Sequence, residues 1–412
     1  MSTWRFFPFF IATMLFILLG VQSYFYLKSL KLSRATKHPR EWKMATNFIF
    51  LLFNIPTFVA PFFHLGITAL PSVILYGLVY PYYIWHVTLF FLFLLAMIGK
   101  LLKLPIVSTA WIIRKLSNRA DSVESPVPTE FDKTRRKFVR VGATVLTGSA
   151  FAIAATGTIL RDKFDITYIT IPIRNLPASF QEYSIGLLSD IHSSIFMMKS
   201  QMQRYVAAAN SMGVDLMTVT GDFVNSDLNE VYPFAEAFVD LKGKDGVYGV
   251  LGNHDFYTRQ VESVASEVNQ CGIHLLRGEG VRIQRNGEYF DFMGVDDVGF
   301  PVKAGEYFDQ ALKGTVAGVP KIMMCHRPYF FQQAEERNID LVLSGHTHGG
   351  QIVFGQVGMN ILAPARLASP YVAGLYKRNA SQMYVSRGIG TVAIPIRINC
   401  SPEITKITLV RA

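Results

Sequence analysis

The chain has 412 residues, half of them hydrophobic, and a formal net charge of +10. The excess charge is local: residues 1–160 hold 17 of the 40 Lys and Arg but 5 of the 30 Asp and Glu, which leaves 23 against 25 for residues 161–412. A slightly acidic C-terminal part excludes a basic face for nucleic acid, and Cys271, Cys325 and Cys400 are too few and scattered for a disulfide framework or a C-x-x-C metal knuckle. They read as small buried hydrophobes.

The N-terminal stretch "FFPFFIATMLFILLGVQSYFYL", Phe6 to Leu27, carries no charge. A membrane-spanning helix needs roughly 20 apolar residues, so it is long enough to cross, and it exceeds the apolar core of a signal peptide. Lys28, Lys31, Arg34, Lys37, Arg40 and Lys43 follow against Glu41 alone, which makes that loop cytoplasmic by the positive-inside rule. A second span is expected over Ala45–Phe63, kinked at Pro56, and a third within Leu70–Ile98, where Tyr and Trp suit an interfacial belt. His64 and His86 lie in or near these spans with no acidic partner, and read as interfacial. Lys100, Lys103, Arg114, Lys115 and Arg119 then lead into a polar cytoplasmic linker at about 116–137, and Val141–Leu160, rich in small residues, supplies a fourth span.

Four spans with both basic loops inside place the N-terminus and everything after Leu160 outside the cytoplasm. The division expected is therefore an all-α transmembrane region of about four helices over 1–160 and one globular domain over 161–412. "TRRKFVR", Thr134 to Arg140, resembles a twin-arginine export signal, which would make the export machinery a partner. It is internal and has Val139 where Leu is common, and it also reads as ordinary flanking charge. Both readings put the domain outside.

From Ile166 the chain changes to short apolar runs that end in polar or glycine-rich residues. "YSIGLLSDIHSS", "VDLMTVTGDFVN", "GVYGVLGNHD", "KIMMCHRP" and "IDLVLSGHTHGG" each read as a strand that delivers Asp, Asn or His just past its end. Segments of helical period such as "KSQMQRYVAAANSMG" and "QVESVASEVNQCG" lie between them and predict an α/β layered domain, in which ligands bind at the carboxyl ends of strands. The residues so placed are Asp190 and His192, Asp222, Asn253 with His254 and Asp255, His326, and His346 with His348, holding five of the nine histidines. Imidazoles, carboxylates and an amide oxygen without thiolate suit divalent Mn, Fe or Zn. No G-x-S-x-G nucleophile elbow and no nucleotide-binding loop is found in the sequence.

The order D-x-H, G-D, G-N-H-D, a lone His and G-H-x-H resembles the calcineurin-like metallophosphoesterase superfamily over Tyr183–Gln351. "GHTHGGQ" and the tail "MYVSRGIGT…PIRINCSPEITKITL" are similar to its membrane-linked or exported bacterial phosphodiesterase branch. The resemblance implies a sandwich of two mixed β-sheets flanked by helices, with two divalent metal ions. It assigns Asp190, His192 and His348 to one metal, Asn253, His326 and His346 to the other, and Asp222 as the bridge. It further implies attack on phosphorus by a metal-bridging hydroxide, with His254 at the leaving oxygen and Asp255 orienting its ring. Arg327 reads either as a phosphate contact or as a surface ion pair, and His274 as structural. The function expected is that of a phosphoesterase anchored in a bacterial inner membrane, acting on phosphodiester or pyrophosphate bonds of lipid-linked or envelope substrates. Hydrolysis of a UDP-2,3-diacylglucosamine pyrophosphate in lipid A synthesis, whose substrate is cytoplasmic, and a catalytically silent metal-binding sensor are the rivals.

Overall fold

The computed structural model describes residues 7–59, 70–116, 130–297, 301–358 and 360–412. The chain forms two compact units, one of N-terminal helices as far as Thr156 and one from Gly157 to Ala412.

The N-terminal unit contains α1 (Phe7–Ser33), α2 (Pro39–Val59), α3 (Ser72–Ile74), α4 (Tyr80–Leu116) and most of α5 (Glu130–Ile159), with a π-helical turn at Leu75–Val79 joining α3 to α4. Among the described residues three helical segments, not four, are long and apolar enough to cross a membrane: Ala12–Ser33, Ser72–Ile113 and Lys137–Ile159. The expected second span falls short because α2 opens on the charged "PREWK", and the end of that span, Ala60–Phe63, lies outside the described residues, as does His64. Even so α2 runs antiparallel to α1, with Tyr26 Oη donating to Asn47 Oδ1 at 3.0 Å and Ser29 and Thr46 hydroxyls 3.0 Å apart. Trp85 of α4 joins the pair by donating to Gln22 Oε1 at 3.2 Å and stacking on Phe53. The third apolar segment runs beyond the expected Ile98 to Ile113, because Lys100 and Lys103 have long aliphatic stems that interrupt neither helix nor apolar surface. His86 Nδ1 bonds the Tyr82 carbonyl one turn back. Much of the expected linker, 117–129, lies outside the described residues, and "TRRKFVR" falls within α5.

The second unit opens with β1 (Asp165–Ile173), β2 (Tyr183–Leu188), α6 (Lys199–Ser211), β3 (Leu216–Val219), α7 (Val231–Phe238), β4 (Val247–Gly249), α8 (Asn253–Tyr257) and α9 (Val261–Gln270). Then come β5 (His274–Leu275), β6 (Glu279–Arg285), β7 (Glu288–Val295), α10 (Pro301–Ala311), β8 (Lys321–Cys325), α11 (Phe331–Glu336) and β9 (Leu341–Ser344). It closes with β10 (Gly355–Val357), β11 (Asn360–Leu362), β12 (Gly374–Arg378), β13 (Ser381–Val385) and β14 (Glu403–Arg411). Two six-stranded mixed sheets result, ordered β1-β14-β2-β3-β4-β5 and β12-β13-β9-β8-β7-β6, beside the small β10-β11 hairpin.

Alternation along the central strands builds the sandwich. Ile185 and Leu187 of β2, Leu216 of β3, Ile322 and Met324 of β8, and Leu341 and Leu343 of β9 point into one core between the sheets. Met217 and Val219 face the layer of α6, α7 and α9, while Met323, Cys325 and Val342 face that of α10 and α11. Strands covered on both sides are apolar throughout rather than alternating with polar residues, and each large side chain so buried contributes about 1.5–3 kcal/mol. All three cysteines are free and buried. The parallel runs β2-β3-β4 and β7-β8-β9 bring the carboxyl ends of β2, β3 and β4 in one sheet and of β8 and β9 in the other to the same end of the sandwich.

Candidate metal centre

The five turns at that end carry all the residues singled out at strand ends: Asp190 and His192 after β2, Asp222 after β3, Asn253, His254 and Asp255 after β4, His326 after β8, and His346 and His348 after β9. Asp190, His192, Asp222, His346 and His348 all have left-handed backbones, with φ between 49° and 72°. Each costs an L-residue roughly 1–2 kcal/mol, so the turns must hold them. They do so by backbone bonds between loops, from Asp190 N to Gly221 O and from His192 N to Asp222 O, both 3.0 Å. Two close approaches require glycine. A Cβ on Gly345 would lie 1.9 Å from Ser189 Oγ, and one on Gly252 would lie 2.2 Å from Asp222 Oδ1.

The ligand atoms of Asp190, His192 and His348 all lie within 4.8 Å of one another, as do those of Asp222, His326 and His346; His192, Asp222 and His254 form a third such group that overlaps both. Asp222 links the groups, its Oδ2 lying 3.5 Å from His192 Nε2 and 3.3 Å from His326 Nε2. The Nε2 atoms of His192 and His348 are 3.1 Å apart, and His346 Nδ1 is 3.2 Å from His326 Nε2. Ring nitrogens this close need a proton or a cation between their lone pairs. Asn253 Oδ1 is buried without a hydrogen-bond partner among the described residues, which costs about 1–3 kcal/mol unless a donor or cation takes its lone pair. The residues fit divalent cations on both counts.

Electrostatics prepares the imidazoles as neutral ligands. Burial, reinforced by neighbouring imidazoles or by Arg327 and Arg397, holds His192 and His346 well below the usual histidine value and His348 down at about 4. His326 differs, because the Asp222 carboxylate outweighs burial and raises it to about 10. Burial alone would raise Asp222, but His326, His254 and His192 together keep its carboxyl well below the ordinary range. A negative charge is thus fixed between the two groups of histidines.

His254 Nδ1 donates to the Asn225 carbonyl at 2.5 Å, which sets its tautomer and leaves Nε2 as the working nitrogen, and its ring stands edge-on to His192. The expectation that Asp255 orients this ring is corrected here. The first turn of α8 aims the Asp255 carboxylate under the β3 turn, where it accepts from the amides of Gly252, Asp222, Phe223 and Val224 at 2.8–3.2 Å. Asp255 therefore braces the loop that carries Asp222. Arg327 makes a half-buried, two-pronged ion pair with Asp297 and donates to the Tyr329 hydroxyl, an ion pair as one reading had it but not one at the surface. Arg397, which sequence reasoning passed over, is buried beneath the loops of His348 and Gly388. Its signal was faint: a lone Arg in an apolar run, "IPIRIN".

The family model for calcineurin-like phosphoesterases matches residues 183–350. A zebrafish protein described as a transmembrane protein with metallophosphoesterase domain is 30% identical over 340 residues, 80% of this chain and 72% of its own length. Its bovine counterpart is 29% identical over 291 residues, 68% of this chain and 64% of its own length. Phosphodiesterase YaeI of Escherichia coli is 28% identical over 245 residues, 58% of this chain and 87% of its own.

Proposed function

Because this chain belongs to the calcineurin-like metallophosphoesterase family and is thereby a metal-dependent phosphoesterase, we propose that it hydrolyses phosphodiester or pyrophosphate bonds of lipid-linked or envelope molecules from a membrane anchor. In this reading Asp190, His192 and His348 hold one divalent ion, Asn253, His326 and His346 the other, and Asp222 both. The observation that carries it is Asp222 Oδ2 standing 3.5 Å and 3.3 Å from histidines of two different ligand groups. Two bound dications supply Lewis acidity toward water and the phosphate oxygens. The chain's own residues do the rest. His254, held at Nδ1 by Asn225, presents Nε2 as the proton donor to the leaving oxygen, and Asp255 keeps Asp222 in place. With α2 counted as a crossing beside the three apolar helices, both basic loops fall on the inner side, which supports a bacterial plasma-membrane location with the domain outside the cytoplasm, "TRRKFVR" being its address to the twin-arginine machinery.

The test uses purified full-length chain, elemental analysis and hydrolysis of bis(p-nitrophenyl) phosphate. Wild type should carry two divalent ions per chain and turn over, while Asp222→Asn should lose turnover and at least one ion, since a neutral amide cannot offset two dications. His254→Ala should keep both ions and lose about 100- to 10,000-fold on alkyl diesters, with a smaller loss on aryl ones whose leaving group needs no proton. Full metal content and normal turnover in Asp222→Asn would refute the site. Two bound ions in wild type without hydrolysis of any diester would favour the silent sensor.

A further inference from the structure

Twelve large apolar side chains are exposed among the described residues of the C-terminal unit, and Phe354, Val357, Leu362 and Leu367 are four of them, gathered within 14 residues. Val357 is 80% and Leu367 94% exposed. These residues lie on the β10-β11 hairpin and the 3-10 turn Pro364–Leu367 that follows it. The underside of the same segment is an ordinary core, in which Val353, Ile361 and Ala363 pack with Val372 and Cys400. The hairpin is therefore seated on the domain and turns a second apolar face outward.

We propose that Phe354, Val357, Leu362 and Leu367 form a membrane-contacting patch that enters the headgroup region of the bilayer that Lys137–Ile159 is long enough to cross. Three observations select a bilayer as the occupant. First, the residues that lead into the hairpin are bonded to a segment that also bonds Gly157 in the last turn of α5: Arg397 N donates to Gly157 O at 3.0 Å, Ile398 N to Gln351 O at 2.9 Å and Val353 N to Ile398 O at 2.9 Å. Gly157 cannot carry a Cβ without meeting Arg397 O at 2.8 Å, so this seat is close-fitting. Gly157 lies near the end of Lys137–Ile159, a segment long and apolar enough to cross a membrane, so the strand-like segment that holds the hairpin is itself bonded to the end of that segment. Second, the chain has no acidic residue from 341 to 402, and Arg366 and Lys377 there are exposed, a local balance suited to anionic headgroups. Third, at about 3.3 Å per residue the hairpin reaches the roughly 5–10 Å that interfacial elements penetrate. It begins three residues after Gln351, the residue that closes the turn carrying His348. The proposal rests on the membrane anchoring in the reading above and not on the phosphoesterase chemistry.

The test places an environment-sensitive fluorophore on Cys at Val357→Cys or Leu367→Cys in the full chain, the native cysteines being buried, with Val239→Cys and Val316→Cys as equally apolar, exposed controls. In vesicles of phosphatidylcholine with phosphatidylglycerol, spin-labelled lipid should quench positions 357 and 367 severalfold more than 239 and 316, and aqueous iodide should quench them less. Iodide access equal to the controls would overturn the proposal. Shielding from both lipid and aqueous quenchers would overturn it in favour of a protein surface or a second copy. Phosphodiester hydrolysis does not enter this readout, so failure of the enzymatic reading would leave it unmoved.

Discussion

Arg397 shows how one side chain can organise a site it does not enter. It is 4% exposed, it forms no ion pair among the described residues, and its guanidinium donates to the carbonyls of His348, Arg387, Gly388, Gly390 and Cys400 at 2.6–3.4 Å. Only a planar fork of five N–H groups reaches so many acceptors. Arg397→Met should strand these carbonyls and cost about 3 kcal/mol or more in denaturant unfolding of the full chain. As a positioning residue it should also weaken metal binding about 10- to 100-fold, as loss of outer support does elsewhere, and Arg397→Lys should fall between. Unchanged metal affinity in both variants would reduce Arg397 to general packing. In sequence the residue is illegible, since "IPIRIN" gives no hint of which carbonyls will lie around it.

Among the elements, the loop between β3 and α7 has its own titration. Glu230 Oε2 accepts from the amides of Asn225, Ser226 and Asp227 at 2.8–3.0 Å, and this loop supplies the carbonyl that fixes His254. Burial raises Glu230 from 4.5 to about 7 against the pull of those amides. The folded chain then binds this proton more tightly than the unfolded one, so the stability it contributes is complete below about pH 4.5 and is lost as pH rises through about 7, by up to about 3 kcal/mol. Glu230→Gln keeps an oxygen for the three amides and cannot titrate. Unfolding curves of wild type and variant should therefore diverge across that window, and parallel curves would show that Glu230 is already ionised in the folded chain. The strand that leads into this loop and the helix ahead of that strand were legible, β3 from "DLMTV" and α6 from the period of "QMQRYVAAA", because local pattern decides them. The short 3-10 turn Leu228–Glu230 and its capping by Asp227 were not read, because three residues carry no period.

For the whole molecule, the number of crossings decides on which side of the membrane the chemistry happens. The bonds of α2 to α1 and α4 favour α2 as a crossing partner although its opening residues are charged. A periplasm-dependent reporter fused after Ala412 should then be active, while a cytoplasm-dependent one should be silent. The reverse result would place the domain inside the cell and revive the nucleotide-lipid pyrophosphate as substrate.

By itself the sequence determined the elements and the inventory of ligating residues. Burial period, charge asymmetry and the types of residue past each strand end are properties of contiguous stretches, so Asp190, His192, Asp222, Asn253, His326, His346 and His348 could be named before any strand was paired. Tertiary structure alone decided what depends on distant partners. β14 inserts between β1 and β2, more than 200 residues away in the chain, and places Glu403 where its carboxylate accepts from the Arg387 amide at 3.0 Å. Asp255 turned from the neighbouring ring to four amides of two loops, and Arg397 and Ile398 came to bond Gly157 and Gln351, far behind them in the chain. A side chain's type sets which bonds it can make. Which partners lie within 3 Å follows from how loops far apart in the chain pack together, and no local pattern encodes that.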